Sequence, residues 1–324
     1  MTENVTLCIG TVGSGAWISP DGGESWRRVG RGLWNESRVY GLAVHPRQRQ
    51  TVFAGADDGL YRSEDGGRSF EHIDSPMNRM DVWRIAFDPS DPDTVFAGTR
   101  PAALFRSRDG GRQWQKLPVD MVEECPNVGV PRVTALTVDP SDRRIVWAGV
   151  EVDGVRRSLD GGETWTRVAG GLDDPDIHDV AVQPAGGGKT VLTSTPREIF
   201  ASTDKGESWQ RLGVGRHFGL PYCRGLALKA DDPDTVFVAT GDGAAGSTGA
   251  IQRSQDGGKS WRRLELPIAP NSPIWAFATH PADPGLIFAC SHYGELFASG
   301  DAGDSWRKLP REFTEIRALA WTPN

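Results

Sequence analysis

Arginine, carboxylate, imidazole and phenol side chains cluster in this 324-residue chain at the starts of short apolar runs and in the loops between them. Arg38, Arg132, Arg224 and Arg317 are suited to holding a carboxylate or another anion, because a guanidinium offers two parallel hydrogen bonds. Glu151, with Asp242 or Glu295 opposite, has the composition of an acid/base pair for glycoside cleavage. His178, His217, His292, Tyr222 and Tyr293 can move protons in lyase-type chemistry. The expected catalytic group is His178, Arg224, His292, Tyr293 and Glu151. Tyr40, Trp83, Arg132, Trp275, Arg317, Arg38, Arg100 and His217 are expected to bind the ligand. Three converging histidines would suit a metal, but no short ligand spacing supports one, so no metal and no other cofactor is expected.

What positions these residues is an internal repeat. An octapeptide occurs seven times: SPDGGESW from Ser19, SEDGGRSF from Ser63, SRDGGRQW from Ser107, SLDGGETW from Ser158, STDKGESW from Ser202, SQDGGKSW from Ser254 and SGDAGDSW from Ser299. Runs such as VFAGADDGLYRS (52–63) and VWAGVEVDGVRRS (146–158) precede it. Runs such as VYGLAVHP (39–46), VWRIAFDP (82–89), IHDVAVQP (177–184) and IRALAWTP (316–323) follow it. β-Branched and aromatic runs punctuated by Gly, Pro and Asp read as strands and turns. A period of 44 to 52 residues with four strands per unit predicts propeller blades. The chain starts inside a unit, with strands B, C and D, and ends on a strand A. Joining the two completes a seventh blade, so the expected fold is an all-β, seven-bladed propeller over residues 1–324, in one domain.

The octapeptide resembles the Asp box of the BNR-repeat family, S-x-D-x-G-x-[ST]-W, and the resemblance runs the length of the chain. Its Asp can accept backbone N–H groups across a tight turn, its Gly residues permit positive φ, and its Trp is a large apolar plug. The resemblance implies that the boxes lie on the C–D turns, away from the ligand face. Asp21, Asp65, Asp109, Asp160, Asp204, Asp256 and Asp301 are then scaffold, not catalysts. Asp-box propellers include sialidases, xyloglucan-active hydrolases, sortilin-type receptors and photosystem assembly factors, so the fold alone names no function. The sialidase F/Y-R-I-P motif is broken at both ends here, in Trp83-Arg84-Ile85-Ala86. Xyloglucan-active enzymes pair two propellers, whereas seven boxes make one ring. Assembly factors share the ring size and its arginines, but they are usually exported or lipid-anchored, and no such signal is visible in this sequence.

Aligning the A strands gives one rim residue per blade: Tyr40, Trp83, Thr134, His178, Arg224, Trp275 and Arg317. Two positions on, Leu42, Ile85, Leu136, Val180, Leu226, Phe277 and Leu319 are uniformly apolar and are expected to be core. Scaffold demands repeat with the blades, whereas a ligand site need not, so the irregular set marks the site. The B–C loops add Asp57, Asp58, Arg100, Glu151, Asp153, Arg197, Glu198, Asp242, His292, Tyr293 and Glu295. The D–A loops add Arg38, Arg79, Arg132, Asp176, His217 and Tyr222. Two insertions, DMVEECPNVGVP (120–131) and GDGAAGSTGA (241–250), belong to the same face, where loops on a rigid ring usually carry function.

Net charge is −7 with no basic block, which argues against nucleic acid as partner. No apolar run is long enough to span a bilayer. No secretory signal is visible and the four cysteines are scattered, so reduced thiols and a cytoplasmic location are expected. Two functions fit. One is a hydrolase or lyase acting on an anionic or sugar-like small molecule at the channel mouth. The other is a non-catalytic scaffold that holds a protein partner on the same face.

Overall fold

The computed structural model describes residues 4–126, 128–183 and 190–324. Seven four-stranded antiparallel sheets follow one another around a central axis. The innermost A strands are Val39–Val44, Asp81–Phe87, Val133–Val138, Asp179–Gln183, Tyr222–Lys229, Ile274–Ala278 and Ile316–Pro323. The last pairs antiparallel with Val5–Thr11, placing Leu7 opposite Trp321 and Ile9 opposite Leu319, so the two ends of the chain share one blade and close the ring. Pro184, at the end of the fourth expected A run, lies outside the described residues. The sole helical element among the described residues is a 3-10 turn, Val214–Arg216.

Every octapeptide forms the turn between strands C and D. In the second, Ser63 Oγ donates to Asp65 Oδ1 at 2.8 Å and accepts the Gly67 N–H at 2.8 Å. Asp65 also accepts the Ser69 N–H at 2.9 Å and the Ser69 hydroxyl at 2.6 Å. These bonds hold the carboxylates low; Asp160, Asp204 and Asp256 fall to about 2. The first turn glycine has positive φ, but Lys205 and Ala302 occupy that position in two copies and adopt φ of 59°. Phe70, Trp114, Trp209 and Trp306 are buried, whereas Trp26, Trp165 and Trp261 are only half-buried.

Neighbouring blades touch through a small residue on strand B. A Cβ added to Gly55 would meet the Val82 carbonyl at 2.3 Å, and one added to Gly98 would meet Val133 at 2.4 Å. Gly10 and Gly149 make the same approach to Val39 and Ile177. The core is therefore distributed as apolar clusters between blades, such as Phe53, Leu60, Val82, Val95 and Phe105. The axis itself is left open.

That open axis corrects one expectation. The apolar set two positions beyond the rim is core only in part: Val180 and Leu319 are buried in the clusters between blades. Leu42, Ile85, Leu226 and Phe277 are half-buried and line the bore of the ring. Seven A strands meeting at an axis cannot fill it with side chains of this size, so these residues form an apolar collar.

Candidate functional site

The rim residues owe their direction to a repeated backbone irregularity. Strand pairing skips from Val39 to Gly41, from Val82 to Arg84, from Val133 to Ala135, from Cys223 to Leu226 and from Ile274 to Ala276. In the closing blade it skips between Ala318 and Ile316. The residues passed over are Tyr40, Trp83, Thr134, Arg224 with Gly225, Trp275 and Arg317. A β-bulge leaves an unpaired residue and re-aims its side chain, and here it turns one side chain per blade toward the mouth. In the remaining blade His178 directly precedes the A strand and donates its N–H to the Ser194 carbonyl at 2.8 Å.

Above this ring lies a cavity of 820 Å³. It is lined by Arg132, Glu151, His178, Arg224, Trp275, His292 and Arg317 from the expected site, joined by Asp176, Tyr222 and Asp242. Both insertions supply wall: Val128 from one and Asp242–Ala245 from the other, while Asn127 lies outside the described residues. His178, Arg224, Trp275 and Arg317 also line a neck of 180 Å³ beneath, together with Tyr40 and Trp83. A lower bore of 540 Å³ follows, lined by the apolar collar.

Four of the expected site residues fall outside both the mouth cavity and the neck. Tyr293 stacks on His292 at 4.8 Å but is 44% exposed on the outer side. Arg38 is exposed and interacts with the Tyr40 hydroxyl. Arg100 is tied down by its Nε–H bond to the Val130 carbonyl at 3.0 Å. His217 is exposed at the end of the 3-10 turn. Glu295, Glu198 and Asp153 are buried supports: they accept the N–H groups of Asn271, Val214 and Val122 respectively. Glu295 is thus no partner for Glu151.

Trp83 and Trp275 are buried platforms for arginine. Arg132 lies 4.1 Å over Trp83, which also stacks on Tyr40 at 4.1 Å. Arg224 lies 4.1 Å and Arg317 4.5 Å from Trp275, and His292 stacks on the same ring at 4.2 Å. Such contacts hold a cation while leaving its N–H edge free.

Carboxylates complete the site in pairs. Glu151 bridges Arg132 at 2.7 Å. Burial raises the Glu151 pKa, Arg132 opposes the shift, and the Asp176 charge adds to it. Burial together with Arg224 lowers the pKa of Arg132 to about 10. Burial also works against ionisation of Asp176, but His178 and the charges of Arg224 and Arg132 outweigh it and hold its pKa below the usual carboxylate value. His178 Nδ1 lies 2.6 Å from the Cys223 carbonyl; a carbonyl only accepts, so Nδ1 carries the proton. Nε2 then faces Asp176, 3.6 Å away. Burial and Arg224 lower the His178 pKa. Glu315 bridges Arg317 and lies 2.9 Å from His292 Nε2. Among the described residues, no group of three His, Cys, Asp or Glu side chains is arranged to hold a metal ion.

Sequence reasoning missed Glu315, Asp81, Arg84 and Asp179. Glu315 and Asp81 were legible in principle: each stands two residues before a rim position, as Arg132, Asp176 and Tyr222 do, and strand alternation returns them to the same side. Arg84 and Asp179 belong to a column that reads Gly41, Arg84, Ala135, Asp179, Gly225, Ala276 and Ala318. Five of these are Gly or Ala; the two large ones line the neck. Burial lowers the Arg84 pKa to about 10, and Asp179 opposes that shift.

Fold and mouth together define a seven-bladed β-propeller with an arginine- and carboxylate-lined funnel. A family model described as "Sortilin, neurotensin receptor 3" matches residues 14–146. The chain is 26% identical over 307 residues to a xyloglucanase of Paenibacillus sp., a match covering 89% of this chain and 26% of that protein. It is 27% identical over 273 residues to the photosystem II assembly lipoprotein Ycf48 of Synechococcus sp., covering 79% of this chain and 71% of that protein. Among solved structures it resembles the GH74 xyloglucanase of Xanthomonas campestris, with TM-score 0.67, 23% identity, and 88% and 46% of the two chains covered. It also resembles YCF48 bound to D1 peptide, with TM-score 0.58, 14% identity and 86% of each chain covered. The chain spans 23% to 38% of the length of the xyloglucanases it matches.

Proposed function

We propose that this chain is an Asp-box propeller, one unit over residues 1–324, that cleaves a glycosidic or related bond in a small anionic or sugar-like ligand seated at the mouth. The observation that carries the reading is the pairing of Glu151 with Asp176. Both line one cavity, and their surroundings push their ionisation in opposite directions. That is how one site holds an acid and a base at the same pH. Glu151 donates a proton to the leaving oxygen as the C–O bond breaks, and ionised Asp176 takes a proton from the water that adds to the sugar carbon, so the products each end in a hydroxyl. His178, with Nε2 3.6 Å from Asp176, helps to hold that carboxylate in its ionised form. The relatives named xyloglucanases support a carbohydrate as the ligand class. The test is product analysis by mass spectrometry across neutral and acidic oligosaccharides, with Glu151→Gln and Asp176→Asn as controls. Cleavage by the wild type that either variant abolishes supports the reading; cleavage that both retain contradicts it.

A second reading has its own observation. The match to Ycf48 covers 71% of that protein, a far larger share than for the xyloglucanases. The same mouth would then hold a protein segment without chemistry, and no oligosaccharide would be cleaved.

A further inference from the structure

Arg224 is 4% exposed, yet among the described residues no carboxylate comes within ion-pair distance of it. Two other arginines of the funnel have a carboxyl group in contact: Arg132 has Glu151 at 2.7 Å, and Arg317 has Glu315. Arg84 donates to the Trp83 carbonyl at 3.1 Å and faces the charge of Asp179. Asp179 is itself held by the N–H groups of Val180 and Leu226, both at 2.9 Å. Arg224 has the Trp275 ring beneath it and the Tyr222 hydroxyl beside it. A buried guanidinium without an anionic partner is costly, and this one lines both the mouth cavity and the neck.

The same cavity holds an unanswered acceptor. Asp176 Oδ1 is buried and has no hydrogen-bond partner. Arg224 and the Asp176 side chain line the same cavity, and together they call for a ligand with one anionic group and at least one hydroxyl. The anion is better a carboxylate than a phosphate. A dianion would lie against Asp176, Glu151 and Asp179, all close enough to sense the Arg224 charge. A planar monoanion matches one guanidinium through two parallel hydrogen bonds.

We propose that the ligand is a sugar acid, a saccharide carrying a uronate, whose carboxylate pairs with Arg224 at the top of the neck while a hydroxyl donates to the part of the Asp176 carboxylate that lines the cavity. This rests on the saccharide reading above and narrows its substrate class. Neutral saccharides leave Arg224 unanswered and bind more weakly.

The experiment is isothermal titration of the full chain with di- and trigalacturonate and, separately, with neutral xyloglucan oligosaccharides. It uses the wild type, Arg224→Gln and Arg224→Lys, and thermal melts confirm that each variant is folded. The expected result is preference for the acidic sugars, weakened about tenfold or more in Arg224→Gln and partly restored in Arg224→Lys, which keeps the charge but not the planar fork. Neutral sugars binding as tightly as acidic ones, or galacturonate binding that is insensitive to Arg224→Gln, overturns the proposal and leaves the acid–base reading standing. Arg224-dependent binding of galacturonate with no bond cleaved supports the proposal and overturns the acid–base reading. Absence of binding by either sugar class overturns both.

Discussion

The guanidinium of Arg224 lies 4.1 Å over the indole of Trp275, so a buried cation that lines the cavity rests on an aromatic face. The platform is itself a bulge residue of the neighbouring blade, left out of the Ile274–Ala276 pairing. Two adjacent blades, each with one misfit residue, thus assemble one half of a binding site. Removing the platform loosens the cation without removing it. Trp275→Leu is expected to weaken ligand binding roughly three- to thirtyfold, the range of a partly desolvated cation–π contact of about 0.5–2 kcal/mol. Titration calorimetry checks this, and an unchanged affinity would show that Trp275 only packs.

Glu151 and Asp176 are expected to affect turnover far more than binding. Glu151→Gln preserves shape and removes the proton, so kcat should fall about 10²- to 10⁴-fold with KM little changed. Asp176→Asn should fall similarly. Steady-state kinetics separates this outcome from a binding role, in which KM would rise and kcat would hold.

The pH profile follows from the two directions of shift. Asp176 must be ionised, and its pKa is held below the ordinary value, so the rate falls as pH drops through that depressed value. Glu151 must be protonated, and its pKa is held above its ordinary value, so the rate falls as pH rises through that raised value. The account therefore predicts a bell-shaped profile bounded by the depressed Asp176 value on the acid side and the raised Glu151 value on the alkaline side. Glu151→Gln should lose the alkaline limb from its residual rate. A profile flat from pH 5 to 9 would contradict these roles.

The octapeptide turns make a separate prediction about stability. Ser63→Ala leaves the buried Gly67 N–H without its acceptor, which costs about 1–3 kcal/mol. Denaturant unfolding should register that loss while ligand affinity stays at the wild-type value, because the turn is remote from the mouth.

Acid should act through the same turns. Asp160, Asp204 and Asp256 have pKa values lowered to about 2 in the folded chain, against about 3.9 when unfolded. The stability they confer is complete above the unfolded value and is lost as pH falls through the folded one. Melting temperatures should hold down to about pH 4 and decline steeply between about pH 4 and 2. Melting curves that superpose across that interval would show that these carboxylates are not linked to folding.

The ring was legible because its demands repeat. Seven octapeptides set the turns, and the shared final blade followed from a chain that begins on one strand type and ends on another. The candidate site was legible where it breaks the repeat: Trp83, His178, Arg224, Trp275 and Arg317 stand at one aligned position and converge. Depth was not legible. Nothing in the alternation of Leu42 or Phe277 distinguishes an interior that is filled from an axis that stays open. The B–C loops failed for a related reason. Glu151 and Glu295 look equivalent in sequence, but one points into the mouth and the other is consumed by the Asn271 N–H beneath it. Arg84 and Asp179 were hidden because they stand one position past the rim, in a column that is otherwise Gly or Ala.

The most direct test of the central claim is product analysis of a uronate-containing oligosaccharide incubated with the wild type and with Glu151→Gln at equal concentration and acid pH. The account predicts new chain ends with the wild type and at least about a hundredfold fewer with the variant. Equal cleavage by both proteins, or none by the wild type across acidic and neutral saccharides alike, would contradict it.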